Sequence, residues 1–249
     1  MSLSVVMPVY NEQEIIEEVV RSVYKKIVSR IPDSEFIIVN DCSTDSTLKI
    51  LEKLSKELKK IRIITPQKNG GHGKSIRLGF LNAEKEWVFH IDSDNEYDPD
   101  EYWKLDKLKG KYDIILGYRK DRHDPLHRLI LTRCARAVNF LLFGSLIRDT
   151  NSAFKLVNRK ALQHIISNLP EDAFAYSIMI TLMAKNLKYR ITEIPVTHFG
   201  RKTGTCHYLG WKLMKGVIRG GMDNVKLRIR ALKLPSSEYI KAKEIRNSY

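Results

Sequence analysis

The stretch "LSVVMPVYNEQEIIEEVVRSVYKKIVSRIPDSEFIIVN", residues 3–40, decides the fold class. It opens with a short apolar, β-branched run, which is a strand signature. Ile15, Ile16, Val19, Val20, Val23 and Ile27 then recur at helical spacing, and "EFIIVN" restores the strand pattern. The unit is strand, helix, strand. Outward from it the alternation continues. A helix from Asp45 to about Lys60 carries Ile50, Leu51, Leu54 and Leu58 on one face, and "IRIIT" is a third strand. "GHGKSIRLGFLNA" opens a third helix, "WVFHID" is a fourth strand and "YDIILGY" a fifth. Such alternation of apolar strands with helices predicts an α/β domain, doubly wound, with a mostly parallel sheet flanked by helices. Ligands of these sheets bind beyond the carboxyl ends of the strands. Polar residues collect there: Tyr10 and Asn11 after the first strand, Asn40 and Asp41 after the second, Asp92 and Asp94 after the fourth.

The fourth strand runs straight into acids. "WVFHIDSDNEYDP", residues 87–99, holds Asp92, Asp94, Glu96 and Asp98 with almost nothing between them to neutralise them. Carboxylates this close repel, so they need either full solvation or a cation. Asp98, just before Pro99, reads as a turn residue. No dinucleotide-type glycine fingerprint follows the first strand, where "PVYNEQE" stands. "NGGHGKS", residues 69–75, lacks the Walker spacing and reads as a backbone turn opening a helix near a nucleotide. His72, His90 and His198 are scattered without ligand spacing and read as structural residues.

With 249 residues and 43% hydrophobic content, the chain is long enough for one large core. The net charge of +14 is uneven: residues 1–110 sum to −2 and residues 111–249 to +16. An anionic partner therefore belongs to the second half, and nucleic acid, an anionic membrane or a phosphorylated substrate would each answer to charge alone. A basic nucleic-acid-binding or regulatory protein would leave the acids unexplained. Neither a zinc-finger pattern nor an RNA-binding signature is present, so no nucleic acid partner is expected. Cys42, Cys134 and Cys206 are odd in number and lack metal spacing, which suggests a reducing compartment. No secretory leader is apparent, and the apolar run "AVNFLLFGSLI" at 137–147 is about half the ~20 residues a membrane span needs.

Six motifs stand in one order: "VVMPVYNE", "VNDCSTDST", "NGGHGKSIRLGF", "DSDNEYDP", "RDTNSAFKLVNRKAL" and "VTHFGRKTGT". Over residues 3–208 the chain resembles family 2 glycosyltransferases of the GT-A fold, in the branch of dolichyl- and polyprenyl-phosphate sugar synthases. The resemblance implies an inverting, metal-dependent transfer of a sugar from a nucleoside diphosphate to a lipid phosphate. It places the nucleotide against Pro8, Tyr10, Asn11, Glu12 and Asp41, with Asp92 near the ribose or the metal, and Lys74 joins this set. It makes Asp94 the main protein ligand of a Mg²⁺ or Mn²⁺ ion bridging the donor's diphosphate. Glu96, where close relatives often carry Gln, is a further candidate ligand. The acids then share a divalent cation and two phosphates that complete the charge balance.

A sugar hydroxyl as acceptor would need a general base, whereas a lipid phosphate is already anionic and needs only cations to position it. Arg119, Arg122, Arg128, Arg133 and Arg136 lie close together in sequence, followed by Arg201 and Lys202. By resemblance Arg119 and Arg128 hold the lipid phosphate, with Arg133 as an addition, and Arg201 contacts phosphates of donor or acceptor. The implied catalytic set is Asp92, Asp94, Arg128 and Arg201, while Asn151 and Ser152 shape the acceptor side. The rival reading uses Asp172 as base for a saccharide hydroxyl. Against it, Glu171 and Asp172 read as the cap and first turn of a helix. Residues 1–207 are expected to form the catalytic domain and 208–249 a basic amphipathic extension. On that extension Trp211, Met214, Ile218, Met222, Val225, Ile229 and Leu232 form one stripe that suits a membrane interface or the core equally. Peripheral attachment at the cytoplasmic face of a membrane is the expectation.

Overall fold

The computed structural model describes residues 2–119, 126–199 and 211–248, with backbone alone at 126–130, 211–214 and 217. The first half alternates as its periodicity predicts: β1 (Leu3–Val9), α1 (Ile16–Lys26), β2 (Ser34–Asn40), α2 (Thr47–Glu57), β3 (Ile61–Ile64), α3 (His72–Leu81) and β4 (Trp87–His90). There follow α4 (Tyr102–Asp106), β5 (Ile114–Arg119), α5 (Leu126–Phe143), β6 (Lys155–Asn158), α6 (Arg159–Ser167), α7 (Tyr176–Asn186), β7 (Ile191–Val196), α8 (Trp211–Leu232) and α9 (Ser236–Asn247). The strands form one seven-stranded sheet in the order β3-β2-β1-β4-β6-β5-β7. Only β6 runs against its neighbours; every other pairing is parallel.

Alternation along β1 divides the core. Leu3, Val5, Met7 and Val9 face one apolar cluster, shared with Val19, Val20 and Val23 of α1 and Leu51 and Leu54 of α2. Val6 faces the other, shared with Ile76 and Phe80 of α3 and with Met179, Ile180 and Met183 of α7. Helices thus cover both faces, which is why the strands tolerate apolar residues at nearly every position. Helix α3 lies so near the sheet that any side chain at Gly79 would collide with Val6. The residues beyond 207 pack into the second cluster through Leu227 and Ala231 of α8 and Ala242 of α9. Helix α8 continues through Gly216, Gly220 and Gly221. Its side chains at Ile218, Met222, Val225, Ile229 and Leu232 are 46–67% exposed, so these five members of the stripe face outward, and the side chains of Trp211 and Met214 lie outside the described residues.

Glu171 and Asp172 do not cap a helix. Helix α7 begins only at Tyr176, and both acids are exposed in the turn before it. The N–H groups of Phe174 and Ala175 are instead satisfied by Asp223 of α8, whose Oδ2 accepts from them at 2.8 and 3.3 Å. A side chain supplied from another helix leaves no local signature, which is why the sequence pattern misleads here.

One core residue breaks the apolar rule. Lys155 opens β6 opposite His90, fully buried, and its Nζ donates to Ser177 O, Ser177 Oγ and Thr181 Oγ1 at 2.8–3.2 Å. Burial pushes its pKa down to about 7, against the raising influence of Asp149 and Asp92. Between about 7 and the ordinary value of ~10.4 the unfolded chain binds more protons, so this residue makes stability rise with pH across that window. Urea midpoints at pH ~7 and ~9.5 should therefore diverge less in Lys155→Met than in the wild type. Equal divergence would mean that Lys155 titrates as it does in water.

Candidate active site

The carboxyl ends of β1, β2 and β4 point to the same edge of the sheet, with Val9 beside Asn40 and Val6 beside His90. The loops leaving them are tied to one another by polar side chains. Asn11, at φ 53°, accepts from the Thr44 N–H at 2.8 Å, and its own N–H donates to Ser43 Oγ. The Glu12 N–H donates to Thr47 Oγ1 at 2.9 Å. Asn is among the few residues that enter the left-handed region readily, and here it clasps the two loops together. Its side-chain bonds are made within the protein scaffold.

Asp41 anchors the third loop. Its side chain is buried, and its Oδ1 and Oδ2 accept from the backbone N–H groups of Gly70 and Gly71, each at 2.8 Å. Asn69 Nδ2 donates to the Asp41 carbonyl at 2.8 Å. Gly71 takes φ +80°, where a β-carbon would be strained, and it directly precedes α3. The carboxylate therefore fixes the turn from which α3 starts, and it still borders the cleft.

That cleft is a cavity of about 750 Å³. Pro8, Tyr10, Glu12 and Asp41 line it together with Asp92 and Asp94 and with Phe174, Lys215 and Arg219. Of the nucleotide residues inferred from sequence, these first four and Asp92 border the cavity. Asn11 and Lys74 are not among its lining residues. Lys74 is exposed and packs against Gly70. Lys215 and Arg219 escaped the site reading because they were part of a basic helix. Their positions one turn apart on α8 set both at the cleft, and the Arg219 guanidinium sits 5.2 Å from the Phe174 ring centroid.

The three expected metal ligands occupy different surroundings. Asp94 Oδ1 accepts from the Glu96 N–H at 3.1 Å, a local turn that holds the acid at the cleft. Asp92 sits 3.3 Å from His90 Nε2 and 3.6 Å from His72 Nε2. Burial would raise its pKa, but His72, His90 and Lys155 together outweigh this and hold it down at about 2. Its Oδ1 is buried without a hydrogen-bond partner. Glu96 instead meets His198 Nε2 at 2.9 Å, beside the isolated bridge of Tyr97 to His198, and it lies outside the cavity lining. Asp98 caps the short turn at Pro99–Glu101 and pairs with Lys26 at 2.7 Å.

On the acceptor side, Arg119 at the end of β5 donates through Nε to the buried Asp149 at 2.9 Å. Arg133 is exposed on α5. Arg136 donates to the Arg148 carbonyl at 2.6 Å and so ties α5 to the following loop. Asn151 is exposed in that loop, whereas Ser152 is buried with its hydroxyl donating to the Gly117 carbonyl at 2.5 Å. The side chain of Arg128, and the whole of Arg122, Arg201 and Lys202, lie outside the described residues.

The model of glycosyl transferase family 2 matches residues 4–166. The chain belongs to that family. Curated relatives include the undecaprenyl-phosphate 4-deoxy-4-formamido-L-arabinose transferases of Salmonella choleraesuis and Salmonella newport, each 27% identical over 217 residues, with 85% of this chain and 64% of the relative covered. This family 2 chain thus spans 64% of the length of those relatives. Among solved structures, S. aureus TarS 1-349 in complex with UDP-GlcNAc has a TM-score of 0.65 at 24% identity, covering 96% of this chain and 69% of that one. Glucosyl-3-phosphoglycerate synthase from Mycobacterium tuberculosis, in complex with Mn²⁺, UDP and phosphoglyceric acid, gives 0.65 at 16% identity over 94% and 79%. The fold is the GT-A type, as the sequence motifs imply.

In this family 2 chain the Asp41 clamp is open to direct test. Removing both acceptors in Asp41→Ala leaves two N–H groups unsatisfied and should cost about 1–3 kcal/mol. Amide exchange at Gly70 and Gly71 should speed up more than at β1 residues. Unchanged protection at both glycines would show that the turn holds without the carboxylate.

Proposed function

We propose that this chain carries the catalytic unit of a cation-dependent, inverting glycosyltransferase that moves a sugar from a nucleoside diphosphate to a polyprenyl or dolichyl phosphate. The observation that carries this reading is that Asp92 and Asp94 line the same cleft as Lys215 and Arg219. A diphosphate between them would bring its own negative charge to the cations and share a divalent ion with the acids. The donor set fits such an ion: two carboxylates border the cleft, and Asp92 Oδ1 is buried without a hydrogen-bond partner. Bound there, a divalent ion would act as a Lewis acid that stabilises the leaving nucleoside diphosphate.

An acceptor phosphate oxygen would attack the anomeric carbon from the side opposite the diphosphate. The new carbon–oxygen bond forms as the bond to the diphosphate breaks, and the electron pair of that bond leaves on the diphosphate oxygen. Inversion follows from this single displacement. Since the nucleophile carries no proton at issue, the chain's task is to orient it, and Arg119, Arg128 and Arg201 are the arginines assigned to that task. Guanidinium groups suit it because they bind phosphate oxygens in pairs. The names of the curated relatives support a lipid phosphate as acceptor.

The test is release of nucleoside diphosphate from a panel of nucleotide sugars, with Mg²⁺ or Mn²⁺ and with or without a short-chain polyprenyl phosphate. Release should require cation and lipid phosphate together, and Asp172→Asn should change it less than about threefold, since a true base contributes ~100-fold or more. Release with a saccharide acceptor alone, abolished in Asp172→Asn, would replace this reading with the hydroxyl-accepting one.

The outward stripe on α8 supports peripheral attachment to the cytoplasmic face of an anionic membrane. Lys226, Arg230 and Lys233 are exposed on the same helix and its end, and α5 adds exposed Phe140 and Leu141. Apolar side chains with basic neighbours suit the headgroup region. Among the described residues no helix is long and apolar enough to cross a membrane. The protein should float with anionic liposomes at physiological salt, and Met222→Asp with Ile229→Asp should weaken this. Failure of the wild type to float would overturn the attachment.

A further inference from the structure

His72 at the start of α3, His90 at the end of β4 and Asp92 just beyond it are brought together although the sequence gives them no ligand spacing. One candidate ligand atom from each lies within 4.8 Å of the others. Asp92 Oδ1 stands 3.3 Å from His90 Nε2 and 3.6 Å from His72 Nε2. Ligands about 2.0–2.2 Å from a tetrahedral ion stand roughly 3.3–3.6 Å apart, so these spacings suit a shared ion. His72 is exposed and can adjust its side chain to close the third edge.

The polar accounting points the same way. His90 is 1% exposed, yet neither of its ring nitrogens has a hydrogen-bond partner, and the facing Asp92 Oδ1 has none either. His90 Nε2 and Asp92 Oδ1 stand 3.3 Å apart, a spacing at which a lone pair of each can converge on a third point. Leaving such groups unsatisfied in the interior is costly, which favours a ligand that engages them. The ring of His90 is held edge-on to Phe80, with centroids 5.6 Å apart, and so is fixed in orientation.

We propose that His72, His90 and Asp92 form a binding site for a zinc-class divalent ion such as Zn²⁺, Co²⁺ or Fe²⁺. Two imidazoles and one carboxylate favour these ions over Mg²⁺, which takes oxygen ligands. The exposed His72 side leaves the remaining coordination positions open toward the cleft, where water or a donor oxygen can enter. Asp92 is common to this site and to the expected aspartate pair. The site differs from that pair in its two nitrogens and in not using Asp94.

The proposal is tested by titrating Co²⁺ into the purified, metal-stripped chain and following its visible ligand-field absorption, with Mg²⁺ and then Zn²⁺ as competitors. The wild type should bind Co²⁺, release it to Zn²⁺ and retain it against excess Mg²⁺. His72→Ala, at an exposed position that does not endanger the fold, should weaken binding at least about tenfold, since even supporting groups around metal ligands cost that much. His90→Gln should do the same, and Asp94→Ala should leave the absorption in place. No Co²⁺ binding, or binding that survives both histidine changes and is lost in Asp94→Ala, would overturn the site. The latter result would leave the sugar-transfer reading intact, because it would assign the cation to the aspartate pair.

Discussion

The lateral adjacency of β1 and β4 is the constraint on which the rest of the molecule depends. Because β2 and β3 lie on one side of β1 and β4 on the other, the chain changes direction across the sheet between β1 and β4. At such a switch point the loops on either side diverge and leave a crevice. Here Pro8 near the end of β1 and Tyr10 beyond it line the crevice together with Asp92 and Asp94 of the loop after β4. The acids stand at the crevice because the strand order puts the end of β4 beside that of β1.

Holding that crevice open requires loops that stay where they are put. Asn11 clasps the β1 and β2 loops, Asp41 clamps the Gly70–Gly71 turn, and Asp223 closes the start of α7. Each of these polar side chains satisfies backbone N–H groups of a neighbouring segment. The same scaffold holds α8, and that one helix serves two ends. Its buried edge at Leu227 and Ala231 joins the core, and Lys215 and Arg219 near its beginning line the same cleft as the acids. Cationic and acidic side chains lining one cavity are what an anionic ligand with a cation would complete.

Much of this was legible in the sequence. The helical and strand periods of residues 3–90 are clean because each element buries one face or both, and the polar residues at strand ends identified the functional edge. What lay hidden was of two kinds. Strand β6 has four residues, one of them a buried lysine, so its antiparallel insertion has no pattern of its own. The second kind depends on distance: His72 and His90 look structural when spacing is the criterion, and only the packing of α3 on β1, the neighbour of β4, shows that they share Asp92. The stripe on α8 suited a core face and an interface equally, and only the placement of Leu227 and Ala231 decided which side turned inward.

The central claim is that the acidic and basic side chains lining the cleft together hold a nucleoside diphosphate through a shared cation. Calorimetric titration of nucleoside diphosphates into the chain, with and without a divalent ion, measures this directly. The account predicts binding that depends on the ion, weakens steeply in Asp94→Ala and weakens again when Lys215 and Arg219 are both changed to Ala. Equally tight binding without any divalent ion, undiminished in Asp94→Ala, would contradict it.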